Sequence, residues 1–132
     1  MRIGELAGIA GTATKTIRFY EQTGLLPDPG RTQSGYRDYP PETADRLAFI
    51  RDAQAAGFTL AEIGQVLAIR DDGQSPCGHV TALIDTHLRR VRERIAELEH
   101  TKQVLLSLAA RAQDTASQDC DESAICRIIS TS

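Results

Sequence analysis

VTALIDTHLRRVRERIAELEHTKQVLLSLAAR, residues 80–111, is the stretch on which the fold of this chain turns. Its apolar residues recur at alternating spacings of four and three: Ile84, Leu88, Val91, Ile95 and Leu98, then Leu105 and Ala109. Lys102 is the single break in that register. Arg89, Arg90, Arg92, Glu93, Arg94, Glu97 and Glu99 fill the flanks, and neither Gly nor Pro interrupts the run. Such a seam predicts a long coiled-coil helix that needs a partner. At about 1.5 Å per residue the helix is roughly 48 Å long. Cys77 stands just before one end, and Cys120 and Cys126 lie beyond the other. Within one chain the helix holds these thiols apart. If two copies pair antiparallel, Cys77 of one subunit arrives beside Cys120 and Cys126 of the other, and three scattered thiols become two metal sites per dimer.

Outward from that helix, 132 residues support one ordinary domain, or a small domain with a helical appendage. A hydrophobic content of 41% with 5% aromatic and no Trp predicts an aliphatic core. The longest apolar runs are too short to span a bilayer, and the first residues lack the apolar core of a signal peptide. A cytoplasmic protein with no membrane association is expected. Three cysteines, an odd count in a reducing compartment, favour thiol or metal chemistry over a disulfide framework. The net charge of −3 is unevenly spread. Residues 1–70 hold eight Lys/Arg and eight Asp/Glu, whereas residues 71–132 hold seven basic and ten acidic side chains. Asp114, Asp119, Asp121 and Glu122 form an acidic loop beside the later thiols, which suits a cation. A neutral front half with localised Arg remains able to bind DNA.

In that front half, Ile3, Leu6, Ala7 and Ala10 make a short helical stripe. Gly11-Thr12 reads as a turn with Thr12 as N-cap of a second helix over residues 13–22, anchored by Ile17 and Phe19 and stopped by Gly24. Two short helices about a glycine-containing turn predict a helix-turn-helix whose second helix enters a major groove. Ser34-Gly35 fits a tight hairpin turn, so that Arg31, Tyr36 and Arg37 project from a small β wing; a plain surface loop is the alternative. Pro40-Pro41-Glu42 resembles a helix start. Thr59-Leu60-Ala61-Glu62 has capping-box spacing, and Ile63, Val66, Leu67 and Ile69 mark an apolar face. Polar residues 71–76 link this part to the long helix. The expected division is a DNA-binding domain over residues 1–75, a dimerisation helix over 76–111 and an effector loop with the C-terminal segment over 112–132.

Thr14-Lys15-Thr16-Ile17-Arg18-Phe19-Tyr20, Gly24-Leu25-Leu26, Arg31, Gly35-Tyr36-Arg37 and Gly57-Phe58 together resemble the MerR family of transcription regulators. The resemblance is strong over residues 1–70 and looser at the C-terminus. It implies a mainly α fold: a winged helix-turn-helix domain, a long antiparallel coiled-coil helix that makes a homodimer, and a short C-terminal metal-binding loop. It further implies double-stranded promoter DNA and RNA polymerase as partners, with an overlong promoter spacer untwisted when the effector binds. In the family's copper sensors a serine replaces the helix-start cysteine, so Cys77 points to a divalent ion. This chain departs from the pattern at residues 109–113, where no cysteine follows the long helix.

For DNA, the candidate residues are Lys15, Arg18 and Tyr20 on the second helix and Arg31, Tyr36 and Arg37 on the wing. Cationic side chains meet phosphates, Arg also reads guanine, and tyrosine hydroxyls suit the sugar-phosphate backbone. The plainer alternative has Tyr20 and Tyr36 packing the small domain. For the effector, Cys77, Cys120 and Cys126 supply thiolates, which select soft ions over Mg or Ca. Three thiolates suit Hg(II), the favoured effector, or Pb(II); His79 as a fourth ligand would favour Zn or Cd. His79 points away from Cys77 if that stretch is helical. His87 and His100 read as helix-surface residues. The rival functions are a Cu(I), thiol-redox or organic-ligand sensor of the same fold, and a constitutive DNA-binding protein with structural Zn. An iron–sulfur cluster normally needs four thiolates, and nothing at suggestive spacing supports an enzyme.

Overall fold

A computed structural model describes residues 1–114 and 125–129. The elements run α1 (Ile3–Ala10), α2 (Thr14–Thr23), β1 (Gly30–Arg31), β2 (Arg37–Asp38), α3 (Glu42–Ala55), α4 (Leu60–Asp71) and α5 (Cys77–Asp114). The chain divides into two compact units, Met1–His87 and Leu88–Ser132.

In the first unit α1 packs on α2 and α3, and α3 on α4. Leu6, Ile17, Leu26, Leu47, Ile50 and Ile63 close a mainly aliphatic core around the buried Tyr39, and it contains no thiol. Gly24 ends α2 at φ 84°, a left-handed conformation that β-carbon sterics disfavour in other residues. Thr12 does not cap α2. The N-cap is Ala13, without a side-chain bond, and the Thr12 hydroxyl donates instead to the Ala10 carbonyl. The wing is an antiparallel pair with Gly30 opposite Asp38 and Arg31 opposite Arg37, which settles the choice between wing and plain loop. Gly35, at φ 84°, makes its turn possible. The Met1 ammonium donates to the Tyr39 carbonyl at 2.7 Å and to Asp38 Oδ1 at 2.9 Å, laying the first residue along the wing.

The capping box at α4 forms as the spacing predicts: Glu62 N donates to Thr59 Oγ1 at 3.1 Å, and Thr59 N to Glu62 Oε1 at 2.9 Å. Phe19 was expected in the core but is 47% exposed. It lines a cleft of about 560 Å³ with Thr23, Leu25, Leu60 and Gly64, because two steps round the helix from Ile17 leave the buried face. His87, expected on the surface, is half-buried: Nε2 lies 2.9 and 3.1 Å from the two Glu62 oxygens, and the ring centroid is 5.0 Å from that of Phe58.

Helix α5 begins three residues before and ends three residues after the apolar stretch, and none of its residues is buried. In the second unit Val91, Ile95, Leu98 and Leu105 are each more than half exposed. Arg111 Nη1 donates to the Ile128 carbonyl at 2.9 Å, tying the described end of the chain to the last turns of α5. No helix among the described residues is long and apolar enough to cross a membrane.

Candidate nucleic-acid interface and effector site

One helix and one hairpin carry the candidate DNA surface. On α2, Ile17 and Tyr20 face the core while Lys15 and Arg18 are exposed. Residues three apart share a helix face, so these two cations lie together. Tyr20 is only 7% exposed, and its hydroxyl bonds Gln54 Oε1 at 3.3 Å. Its surroundings therefore show the packing role that was weighed against DNA contact. Tyr36 is the opposite case: it is 54% exposed at the wing, with the Arg2 guanidinium 4.3 Å above its ring centroid. That contact places a further cation beside the wing, one not anticipated from the sequence. Arg31 is exposed, and its Nη1 lies 3.4 Å from the Gly35 carbonyl across the turn.

Arg37 is held differently. Its Nε donates to Glu21 Oε2 at 3.2 Å, and the Glu21 side chain is only 7% exposed. The other Glu21 oxygen accepts from the buried Tyr39 hydroxyl. One carboxylate thus ties α2 to β2, through Arg37, and to Tyr39 just beyond it. Burial, then the Glu21 carboxylate, pushes the Tyr39 hydroxyl up to about 12. Glu21 was not among the candidate residues. Its signal was its position four after Ile17, which puts a carboxylate on the buried face.

Cys77 and Cys126 fall in different units. Cys77 is the first residue of α5 and an exposed free thiol, with no acidic side chain in that first turn. Gly78 is helical, so His79, two residues on, does not face Cys77. His79 Nε2 is buried and has no hydrogen-bond partner among the described residues. Cys126 is half-buried, beyond α5, and Cys120 lies outside the described residues. Among the described residues of a single chain, no three His, Cys, Asp or Glu side chains gather as a metal site.

Comparison with known proteins gives this geometry a family context. The family model described as MerR HTH family regulatory protein matches residues 1–68, and that described as MerR, DNA binding matches residues 44–108. A mercuric resistance operon regulatory protein from Bacillus cereus is 38% identical over 113 residues, covering 86% of each chain. The crystal structure of the transcription regulator PbrR691 from Ralstonia metallidurans CH34 in complex with lead(II) is 39% identical. It covers 98% of this chain and 96% of that one, with a TM-score of 0.74. HiNmlR, a MerR family regulator lacking the sensor domain and bound to promoter DNA, is 25% identical over 86% of each chain, with a TM-score of 0.58.

Proposed function

The chain belongs to the MerR family of transcription regulators, which are not enzymes, and from that premise we propose that it is a dimeric, metal-responsive activator. Its effector is a thiophilic divalent ion, Hg(II) ahead of Pb(II), Zn(II) and Cd(II). Cys77 of one subunit joins Cys120 and Cys126 of the partner subunit around each ion. His79 stays outside that set, because its place on the helix turns it from Cys77. Residues 1–75 bind the promoter, 76–111 form the dimer, and 112–132 complete the effector site.

The observation that carries this reading is the exposed Cys77 thiol on the first residue of a helix whose apolar seam is left in water. A stripe of that length is an interaction surface, and a second copy supplies the matching seam. Antiparallel pairing brings the start of one α5 to the end of the other. The donor set fits the ion, because thiolates are soft ligands. The relatives named for mercury and lead are consistent with it. On the DNA side, exposed Lys15, Arg18 and Arg31 meet phosphates or bases, while Glu21 fixes the angle of Arg37. Ion binding then distorts the promoter spacer so that RNA polymerase can engage it. The DNA-binding core closes without a thiol, which supports an effector role for the metal over a structural one.

Transcription from a cognate promoter in vitro, titrated with Hg(II), Pb(II), Zn(II), Cd(II) and Cu(I), tests the proposal. Induction by Hg(II) at the lowest free concentration is expected. Preference for Cu(I) would contradict the divalent assignment. Unfolding of the metal-free protein would indicate structural Zn.

A further inference from the structure

A capping-box glutamate ordinarily completes its work within its own helix, its carboxylate folded back on the first turn. Glu62 does that through Thr59, yet both its oxygens also meet His87 Nε2, on a different helix and 25 residues later. The two side chains are only 20% and 19% exposed, and Phe58, packed against the core, lies against the imidazole. The arrangement does not depend on the charge of the ring. An imidazole nitrogen facing a carboxylate carries its proton in both the neutral and the cationic form. The Glu62 carboxyl is held below the usual carboxylate range by the Thr59 backbone first and His87 second, so it remains an acceptor.

His87 shares its turn of α5 with Ile84 and Leu88, the first two residues of the seam. Over one turn a helix moves as a stiff body. A slide or rotation of α5 that re-seats Ile84 and Leu88 therefore carries His87 with it. Glu62 is locked to the start of α4, and α4 is packed on α3. A helix shift of about 1–2 Å, the scale of such transitions, is enough to break a hydrogen bond of this length.

We propose that Glu62 and His87 are positioning residues forming the joint through which the state of the dimer helix reaches the DNA-binding unit. This rests on the metal-responsive reading above. The test compares full-length homodimers of the wild type, His87→Leu, His87→Gln and Thr59→Ala. Three quantities are measured on each: Hg(II) affinity without DNA, operator affinity without metal, and the ratio by which Hg(II) raises transcription. His87→Leu keeps a side chain against Phe58 and removes the donor. Its two affinities should stay within about twofold of wild type, while its induction ratio falls at least about fivefold. The Gln amide can donate to Glu62 and should restore part of the ratio. Thr59→Ala loses the hydroxyl cap but keeps the His87 bond, and should respond as wild type.

Undiminished induction in His87→Leu overturns the joint. An equal loss in Thr59→Ala also overturns it, since fraying of α4 would then be the cause. A parallel loss of Hg(II) affinity in His87→Leu overturns it too, by placing His87 at the effector site. If the wild type responds to none of the five ions, the metal-responsive reading falls, and the joint with it.

Discussion

A carboxylate in the position of Glu21, nearly cut off from water, is costly unless its oxygens are hydrogen-bonded, and Arg37 and Tyr39 provide those bonds. The consequence for pH has a definite sign. Tyr39 titrates near 12 in the folded protein against an ordinary 10.0, so its protonated form adds stability that is complete below pH 10. That contribution is lost as pH rises through about 12. Tyr39→Phe should therefore flatten the fall of the melting temperature over this alkaline range; an identical slope would contradict the pairing. Arg18→Ala should weaken operator binding by roughly 1–3 kcal/mol if the side chain reads a base pair, with metal stoichiometry unchanged. If Arg18 holds only a phosphate, the affinity falls on every sequence and the salt dependence becomes shallower. Unchanged affinity would remove it from the interface. Residue by residue, α2 was only partly legible. Taking Phe19 as inside and Tyr20 as outside followed side-chain polarity. Following the helical step from Ile17 instead leads inward to Tyr20 and Glu21 and leaves Phe19 out, as observed.

Elements were legible where periodicity and a local cap agreed. The stripe at Ile3–Ala10, the glycine stop after α2, the wing turn and the Thr59–Glu62 box each carry their own backbone chemistry within a few residues. Thr12 misled because a threonine before a helix can also bond backward to a carbonyl, as it does here. His87 misled for a different reason: its partner lies 25 residues away, and no local pattern marks such a pair. The cap yields a simple expectation. Thr59→Ala should cost about 0.5–2 kcal/mol in denaturant unfolding. For α5, each seam side chain is worth roughly 1.5–3 kcal/mol if fully buried by a partner. Glu at Leu88 and Ile95 together should therefore give monomers by sedimentation and abolish operator binding. A wild-type monomer at micromolar concentration would contradict the dimer.

At the scale of the whole molecule, the proposed effector site draws its ligands from two chains. Cys77 opens α5, Cys126 follows it, and the described residues of a single chain assemble no metal cluster. The seam made α5 itself legible, and its exposed apolar stripe is what motivates the proposed second copy. The proposed ligands had no such signal: Cys120 and Cys126 stand in a polar stretch of sequence without periodicity, and Cys120 lies outside the described residues. Antiparallel pairing is the claim that unites the seam, the thiols and the ion, and a mixed dimer tests it directly. A Cys77→Ser subunit is joined through a tag to a Cys120→Ser/Cys126→Ser subunit. One site then loses all three thiols and the other keeps all three. The account predicts that the heterodimer binds one Hg(II) with near-native affinity, while either mutant homodimer binds weakly. A heterodimer with no tight site would contradict it, because ligands drawn from a single chain would leave both sites damaged.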